Sequence, residues 1–333
     1  MTSRRRVWRP LAFAMGLLSL PAGAWLCTAS MPGRSLRDAP PALDEAQVDA
    51  RARMADDLDV LAVQIGERHA GLPRAYERAA TFLEDRLRDA GYEPRRETFE
   101  AGGQACHNLI AESPGERRGW VVVGAHYDTA RGSPGADDNG SGVVSLLEIA
   151  RRLHGDRAQL GLRLVLFANE EPPHFRTEEM GSRVHTRRAA EAGDSIAAML
   201  SLETMGHYDD SDGSQNYPPP FSVFYPSRGN FLAFVGNVGS RSLVRSAVGR
   251  FRELALLPSE GAAIPGWIPG AGWSDHESFW LHGWPAVMVT DTAPFRYPHY
   301  HKDSDTPDKV DFDRLALATE GLVAVIRGLR SEG

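Results

Sequence analysis

The segment HYDTARGSPGADDNGSG, residues 126–142, places a histidine and three aspartates directly after the apolar run WVVVGA. Imidazole nitrogen and carboxylate oxygen are the donors that zinc takes when thiolates are lacking, and Cys27 and Cys106 are too few and too far apart for a thiolate site. The same residue types recur at the ends of three further apolar runs. Glu170-Glu171 follows LRLVLFA, Glu203 ends AAMLSLE, and PAVMVTD leads through Asp291 to PHYHKDSDTPD. A hydrolytic site with a metal pair about 3.5 to 4 Å apart needs a bridging carboxylate, further ligands for each ion and a base free of metal. Neighbouring side chains in extended backbone point to opposite sides, so Glu170 and Glu171 cannot share one role, and one can bind metal while the other handles protons. Taken alone, the first segment serves equally well as a turn that solvates itself, and Asp137 needs no other role. The recurrence at four strand ends favours chemistry.

Elements that must position these groups are legible in the apolar pattern. Residues 120–126, 162–168, 197–203 and 285–291 are continuous apolar runs ending in polar residues, as in strands covered on both faces. Between the first two, VVSLLEIARRLHG reads as a helix with Ser141 or Asn139 as its cap and Gly155 as its stop. Upstream, Val48, Met54, Leu58, Leu61 and Ile65 recur at helical spacing until Gly66, and a second helix runs from about 75 to 91, before strand-like YEPRRETFEA and NLIAE. This alternation predicts an α/β fold, three layers α/β/α around a mixed, mainly parallel sheet, which binds ligands beyond the carboxyl ends of its strands. Residues 206–272, rich in glycine, proline and aromatics, are expected to wall the pocket, and EEMGSRVHTRRAAEAG to form a solvated helix.

Composition narrows the class. The 333 residues are 42% hydrophobic and 24% charged, an ordinary globular balance, and 37 basic against 44 acidic residues leave no footprint for nucleic acid. The amino terminus differs: MTSRRRVWRP carries four arginines ahead of the apolar run Leu11 to Cys27, in which Ala22-Gly23-Ala24 supplies a small-residue cleavage site. That pattern predicts an export signal or membrane anchor over residues 1–26, a linker over 27–42 and one catalytic domain over 43–333. The folded part is then periplasmic or extracellular, with membrane attachment through residues 7–27 if the segment is retained. An oxidising compartment permits Cys27 and Cys106 to pair, but Cys27 lies in or beside the segment to be removed, which argues against a bridge. Ser274-Asp275-His276 does not read as a serine triad, since consecutive residues do not converge and no Gly-x-Ser-x-Gly elbow precedes them.

The segments GAHYDT, PGADDNGSGV, NEEP, SLETMG, SDHESFW and DTAPFRYPHYHKDSDTPD, in this order, resemble the co-catalytic dizinc aminopeptidase family, which includes secreted bacterial leucyl aminopeptidases and glutamate carboxypeptidases. The resemblance covers about residues 65–329. It implies two zinc ions held by His126, Asp138, Glu171, Glu203 and His301, with Asp138 bridging and Glu170 as general base. Glu203 stands where aspartate is commoner in the family. By the same resemblance Asp128 orients the His126 imidazole, Asp275, His276 and Tyr300 stand behind the ligands or line the pocket, and the Asp138-Asn139 peptide is cis. The implied activity is a zinc-dependent aminopeptidase acting on peptides. Alternatives are a carboxypeptidase or dipeptidase of the same family, a glutaminyl cyclase-like acyltransferase, which generally lacks the first histidine, and a non-catalytic binding ectodomain. Arg228 or Arg296 could anchor a substrate carboxylate, but a structural role is the favoured expectation for each. The remaining histidines, His185 among them, are expected at the surface or behind the ligands.

Overall fold

A computed structural model describes residues 28–332; the export-segment expectation and Cys27 lie outside the described residues. Eight strands form one sheet in the order β1-β2-β4-β3-β5-β8-β6-β7. They are β1 Arg95–Ala101, β2 Gln104–Ser113, β3 Trp120–His126, β4 Gly161–Phe167, β5 Ile196–Glu203, β6 Leu232–Gly236, β7 Ser259–Ala263 and β8 Ala286–Thr290. The four central strands β4, β3, β5 and β8 are mutually parallel, while β1, β2 and β6 join antiparallel. The sheet is therefore mixed and mainly parallel, as the alternating runs predict.

The runs are apolar throughout because successive residues enter different cores. Val121, Val123 and Ala125 pack into the larger core, whereas Val122 faces the smaller one; Leu162, Leu164 and Leu166 are likewise separated from Val165 and Phe167. The larger core is closed by α1 Glu45–Asp59, α2 Pro73–Asp89, α3 Gly142–Leu153, α5 Arg241–Glu253 and α8 Phe312–Ser331. The smaller is closed by α6 His276–Trp280 through Phe279, with α4 Gly181–Glu191 packed beside it. Short helical turns lie between these elements, among them a π turn at Val60–Ile65 and α7 at Ala293–Arg296. Among the described residues no helix is long and apolar enough to cross a membrane.

Local signals act where expected, with two differences. Asp44 and Gln47 form a reciprocal capping box at the start of α1, and Gly66 ends the π turn with φ 76°. Of the two candidate caps for α3, Asn139 fills the role: its Oδ1 accepts from Gly142 N at 3.2 Å, while Ser141 Oγ instead accepts from Met205 N at 2.8 Å. The helix expected over EEMGSRVHTRRAAEAG begins only at Gly181, and its inner face buries Ser182, Val184, His185 and Thr186. Residues 206–272 are also more ordered than their composition suggests, since they contain β6, α5 and β7.

Arg68 and Arg330 are the largest fully buried side chains, and Arg68 has no place in the amphipathic pattern. Its Nε donates to Tyr127 O at 2.8 Å, Nη1 to Pro134 O at 2.7 Å, and Nη2 to Gly135 O at 3.0 Å. Thr129 Oγ1 accepts from Arg68 N at 3.1 Å, and Thr129 N donates to Arg68 O at 2.9 Å. One guanidinium thus ties both ends of the loop that follows β3. Burial lowers its pKa to about 10, opposed by the charges of Asp305, Asp128 and Asp138, so it stays protonated at neutral pH. Replacing it by methionine, Arg68→Met, leaves these carbonyls buried without donors, and the expected cost is at least about 3 kcal/mol. Urea unfolding checks this; an unchanged midpoint would show that the loop holds itself.

Candidate metal centre

The four central strands end side by side, and β3 lies between its successors β4 and β5, which is where an open α/β sheet leaves a crevice. His126 is the last residue of β3, Glu170 and Glu171 lie just past β4, and Glu203 is the last residue of β5. Asp138 enters from the loop after β3. That loop turns at Gly135, φ 61°, where a Cβ would meet Thr129 Cγ2 at 2.4 Å and Asp138 O at 2.5 Å, so only glycine fits. The following Asp138-Asn139 peptide is cis. His301 reaches the crevice from the loop after α7, with its ring stacked on Tyr300 at 3.9 Å between centroids. Asn169, Thr204 and His301 all have positive φ, a conformation costly for residues other than glycine and concentrated here beside Glu170, Glu203 and the crevice mouth.

Asp138 sits between the two imidazoles. Its Oδ1 lies 3.4 Å from His126 Nε2, and its Oδ2 lies 3.0 Å from His301 Nε2. Glu203 Oε2 completes one side at 3.4 Å from His126 Nε2, and Glu171 Oε1 the other at 3.2 Å from His301 Nε2. Two groups capable of holding a metal ion result, His126-Asp138-Glu203 and Asp138-Glu171-His301, each with its donor atoms within 4.8 Å of one another. Glu170 belongs to neither group, yet its Oε2 is 3.9 Å from His126 Nε2.

The electrostatics favour a cation. His126, Asp138, Glu170, Glu171 and Glu203 are all buried, and the carboxylates outnumber the imidazoles. Burial, reinforced by the Asp138 charge, pushes Glu171 up to about 7. Burial also raises Glu170 well above the usual carboxylate range, with Glu203, Glu171 and Asp275 adding to it and His126 opposing. Asp138 goes the other way: burial opposes ionisation, but His126 and His301 hold its carboxyl well below the usual range. His301 rises to about 10 against its own burial because Asp138 and Glu171 face it. His126 Nε2, Asp138 Oδ2 and Glu171 Oε1 are buried with no hydrogen-bond partner. Buried polar atoms are normally satisfied, and an unmet set of one nitrogen and two oxygens in one crevice is what zinc fits.

A second layer holds these groups in place. The Asp305 carboxylate accepts from Asp137 N at 2.9 Å and Asp138 N at 3.1 Å, and the Tyr297 hydroxyl donates to it at 2.8 Å. Ser274 Oγ donates to Glu203 Oε2 at 2.7 Å and lies 3.0 Å from Ser201 Oγ. Tyr76 anchors Asn169 through bonds of 3.0 Å to its side chain and backbone, steadying the turn into the Glu170-Glu171 pair. None of these roles is visible in the sequence, where Ser274 reads only as a failed triad and Asp305 as one acid among several.

Several expected positions change. Asp128 does more than face His126: its carboxylate accepts from Glu170 N and Glu171 N, each at 3.0 Å, while His126 Nδ1 is 3.2 Å from its backbone oxygen and 3.6 Å from Oδ1. Asp275 is fully buried with both carboxylate oxygens unpartnered, and burial raises its pKa to about 7 against the His126 charge. His276 does not line the pocket; its Nε2 donates to Ala271 O at 2.8 Å, and burial lowers it to about 4, so it is neutral. His185 is buried as well, 3.2 Å from Glu97 Oε2. Asp137 is no solvated turn: it is fully buried, accepts from Gly206 N at 2.7 Å, and burial beside Asp291 and Asp305 raises its pKa well above normal. Arg296 gives Nε to Gln215 Oε1 and Nη1 to Phe231 O and His207 O, with Nη2 buried and unpartnered, and Arg228 pairs with Asp212 on the surface.

Beside the crevice opens an apolar pocket, bounded at one end by Glu203 and Tyr300 and walled by Tyr217, Tyr225, Trp273 and Phe295. Its charged lining residues are Glu203 and Glu260, with no lysine or arginine among them.

Known proteins resemble this chain to different degrees. In Escherichia coli (strain K12), "Uncharacterized protein YfbL" is 38% identical over 263 residues, 75% of this chain and 79% of its own length. Leucine aminopeptidase 1 of Arthroderma otae is 27% identical over 235 residues, 67% of this chain and 58% of that protein, so the chain spans little more than half of this fungal relative. The fold matches BSAP, a zinc aminopeptidase from Bacillus subtilis, with TM-score 0.69 and 15% identity over 85% of this chain and 95% of that one. It also matches Fimbriiglobus ruber glutaminyl cyclase, with TM-score 0.63 and 22% identity over 88% and 97%. The sequence pattern of peptidase family M28 matches residues 108–326, a stretch that contains every member of both ligand groups and Glu170, and the chain belongs to that family.

Proposed function

We propose that the protein is an exported, zinc-dependent aminopeptidase that works with a pair of ions, one held by His126, Asp138 and Glu203 and the other by Asp138, Glu171 and His301. The observation that carries this reading is the Asp138 carboxylate, which turns one oxygen to each histidine and so can bridge. When bound, the metal pair supplies Lewis-acid polarisation of a scissile carbonyl and a water of lowered pKa. Glu170, buried beside the first group and outside both, takes the proton of the attacking water and returns it to the leaving amine. Asp128 fixes Glu170 and Glu171 through their adjacent backbone amides, so base and ligand are set by one carboxylate.

The pocket favours an amino-terminal substrate. A substrate's terminal carboxylate wants arginine or lysine, and the lining offers neither, which weighs against a carboxypeptidase. Neither arginine considered as an anchor lines the pocket. The intact first histidine, His126, weighs against a cyclase, and the filled ligand positions against a non-catalytic ectodomain. The arginine-rich amino terminus and the apolar run Leu11 to Cys27 support placement outside the cytoplasm, by a cleaved signal or an anchor over residues 7–27.

Unblocked aminoacyl-peptides should be hydrolysed and N-acetylated ones spared, with activity lost to a chelator and restored by zinc. Hydrolysis of blocked peptides alone, or conversion of glutaminyl peptides to pyroglutamyl peptides with loss of ammonia and no cleavage of the peptide bond, overturns the reading. Glu170→Gln should lower kcat by roughly 10²- to 10⁴-fold with metal content unchanged, measured by atomic emission. Asp128→Asn presents an NH₂ group to one of the two backbone donors, and zinc affinity should drop on the order of 10- to 100-fold in a competition titration.

A further inference from the structure

The pocket floor carries a charge that an apolar side chain would not call for. Glu203 pairs with Thr290, Thr290 with Ala233, and Ala233 with Glu260, so the four form a single row across β5, β8, β6 and β7. Directly paired residues share a face of the sheet, and all four line the pocket. The row therefore has a carboxylate at each end, Glu203 at the metal centre and Glu260 at the far side, three strand spacings or roughly 14 Å apart between their Cα atoms. Ala233 and Thr290, both short, keep the space between them open. Met288, Val235 and Ala262 form the neighbouring row of the floor and are apolar.

Glu260 is poorly compensated for a charge in such surroundings. Burial raises its pKa, against the pull of Arg252, whose Nη2 comes only within 3.7 Å. Arg252 spends its donors elsewhere: Nε on Ser259 Oγ, Nη2 on Ser259 O at 2.6 Å and Nη1 on Pro32 O at 3.1 Å. Neither wall tyrosine helps, because Tyr225 donates to Gly261 O and Tyr217 to Pro226 O. A carboxylate at the end of an aromatic-walled slot matches a side chain with an apolar stem and a cationic tip, since the stem packs on the rings and the tip gains a charged acceptor.

We infer that the pocket receives the side chain of the substrate's amino-terminal residue and that Glu260 selects lysine or arginine there. This inference rests on the aminopeptidase reading and deepens it by naming the substrate class. It is tested with the zinc-loaded full chain by comparing kcat/KM for the p-nitroanilides of lysine, arginine, leucine and norleucine, the last having the lysine stem without the ammonium. Wild type should prefer lysine over norleucine by at least about tenfold, the scale of a hydrogen bond to a charged group. Glu260→Gln should reduce the lysine-to-norleucine ratio by a similar factor. Should the variant not fold, the wild-type ratio decides alone. Cleavage of the leucine substrate with no preference for lysine or arginine, or a ratio unmoved by Glu260→Gln, overturns the inference and leaves the aminopeptidase intact. If wild type cleaves none of the four, the aminopeptidase reading falls and takes this inference with it.

Discussion

Everything at the carboxyl end of the sheet depends on holding Asp138 between His126 and His301. A buried carboxylate that faces an imidazole with each oxygen costs desolvation that its own hydrogen bonds do not return, and Glu171 and Glu203 add further negative charge. A bound metal would resolve the imbalance, because a divalent cation neutralises several carboxylates at once. The protein contributes rigidity. Asp305 accepts from the two amides at Asp137 and Asp138, Arg68 donates to the carbonyls of the loop leading there, and Asp128 accepts from the amides of the Glu170-Glu171 pair. Charged side chains thus hold backbone, and backbone in turn aims the ligands.

That division of labour explains why so many polar side chains are buried around the centre without being ligands. Ser274 fixes Glu203, Tyr76 fixes the turn before Glu170, and Asn139 caps α3 while also accepting from Thr204 N at 3.0 Å. The Asn139 side chain joins the loop of Asp138 to the residue after Glu203, linking two ligand-bearing segments that are distant in sequence. Glycine at 142 is required by the same contact, since a Cβ there would meet Asn139 Oδ1 at 2.3 Å.

The pocket belongs to a different part of the sheet from the metal centre. The centre is built on the parallel strands β3, β4 and β5, whereas the pocket floor is laid across β5, β8, β6 and β7, with β6 running antiparallel to β8. Glu203 stands at the junction of the two. The candidate ligand groups and most of the pocket floor therefore lie on different strands, with β5 common to both.

What could be read from the chain alone was whatever has a short period or a local motif. Continuous apolar runs marked β3, β4, β5 and β8 because a strand covered on both faces needs apolar residues at every position. Adjacent Glu170 and Glu171 were separable because side chains alternate along extended backbone. Residues 206–272 were opaque, since the short strands β6 and β7 carry alanine and glycine rather than a β-branched run, and their pairing is decided by partners far along the chain. Only the tertiary structure could make Arg68 a loop clamp, turn Asp137 from a surface acid into a buried one, move His276 away from the pocket, and bring Glu260 into line with Glu203. Hydrogen bonding and strand register act between residues far apart in the chain, and neither leaves a periodic trace in the order of the amino acids.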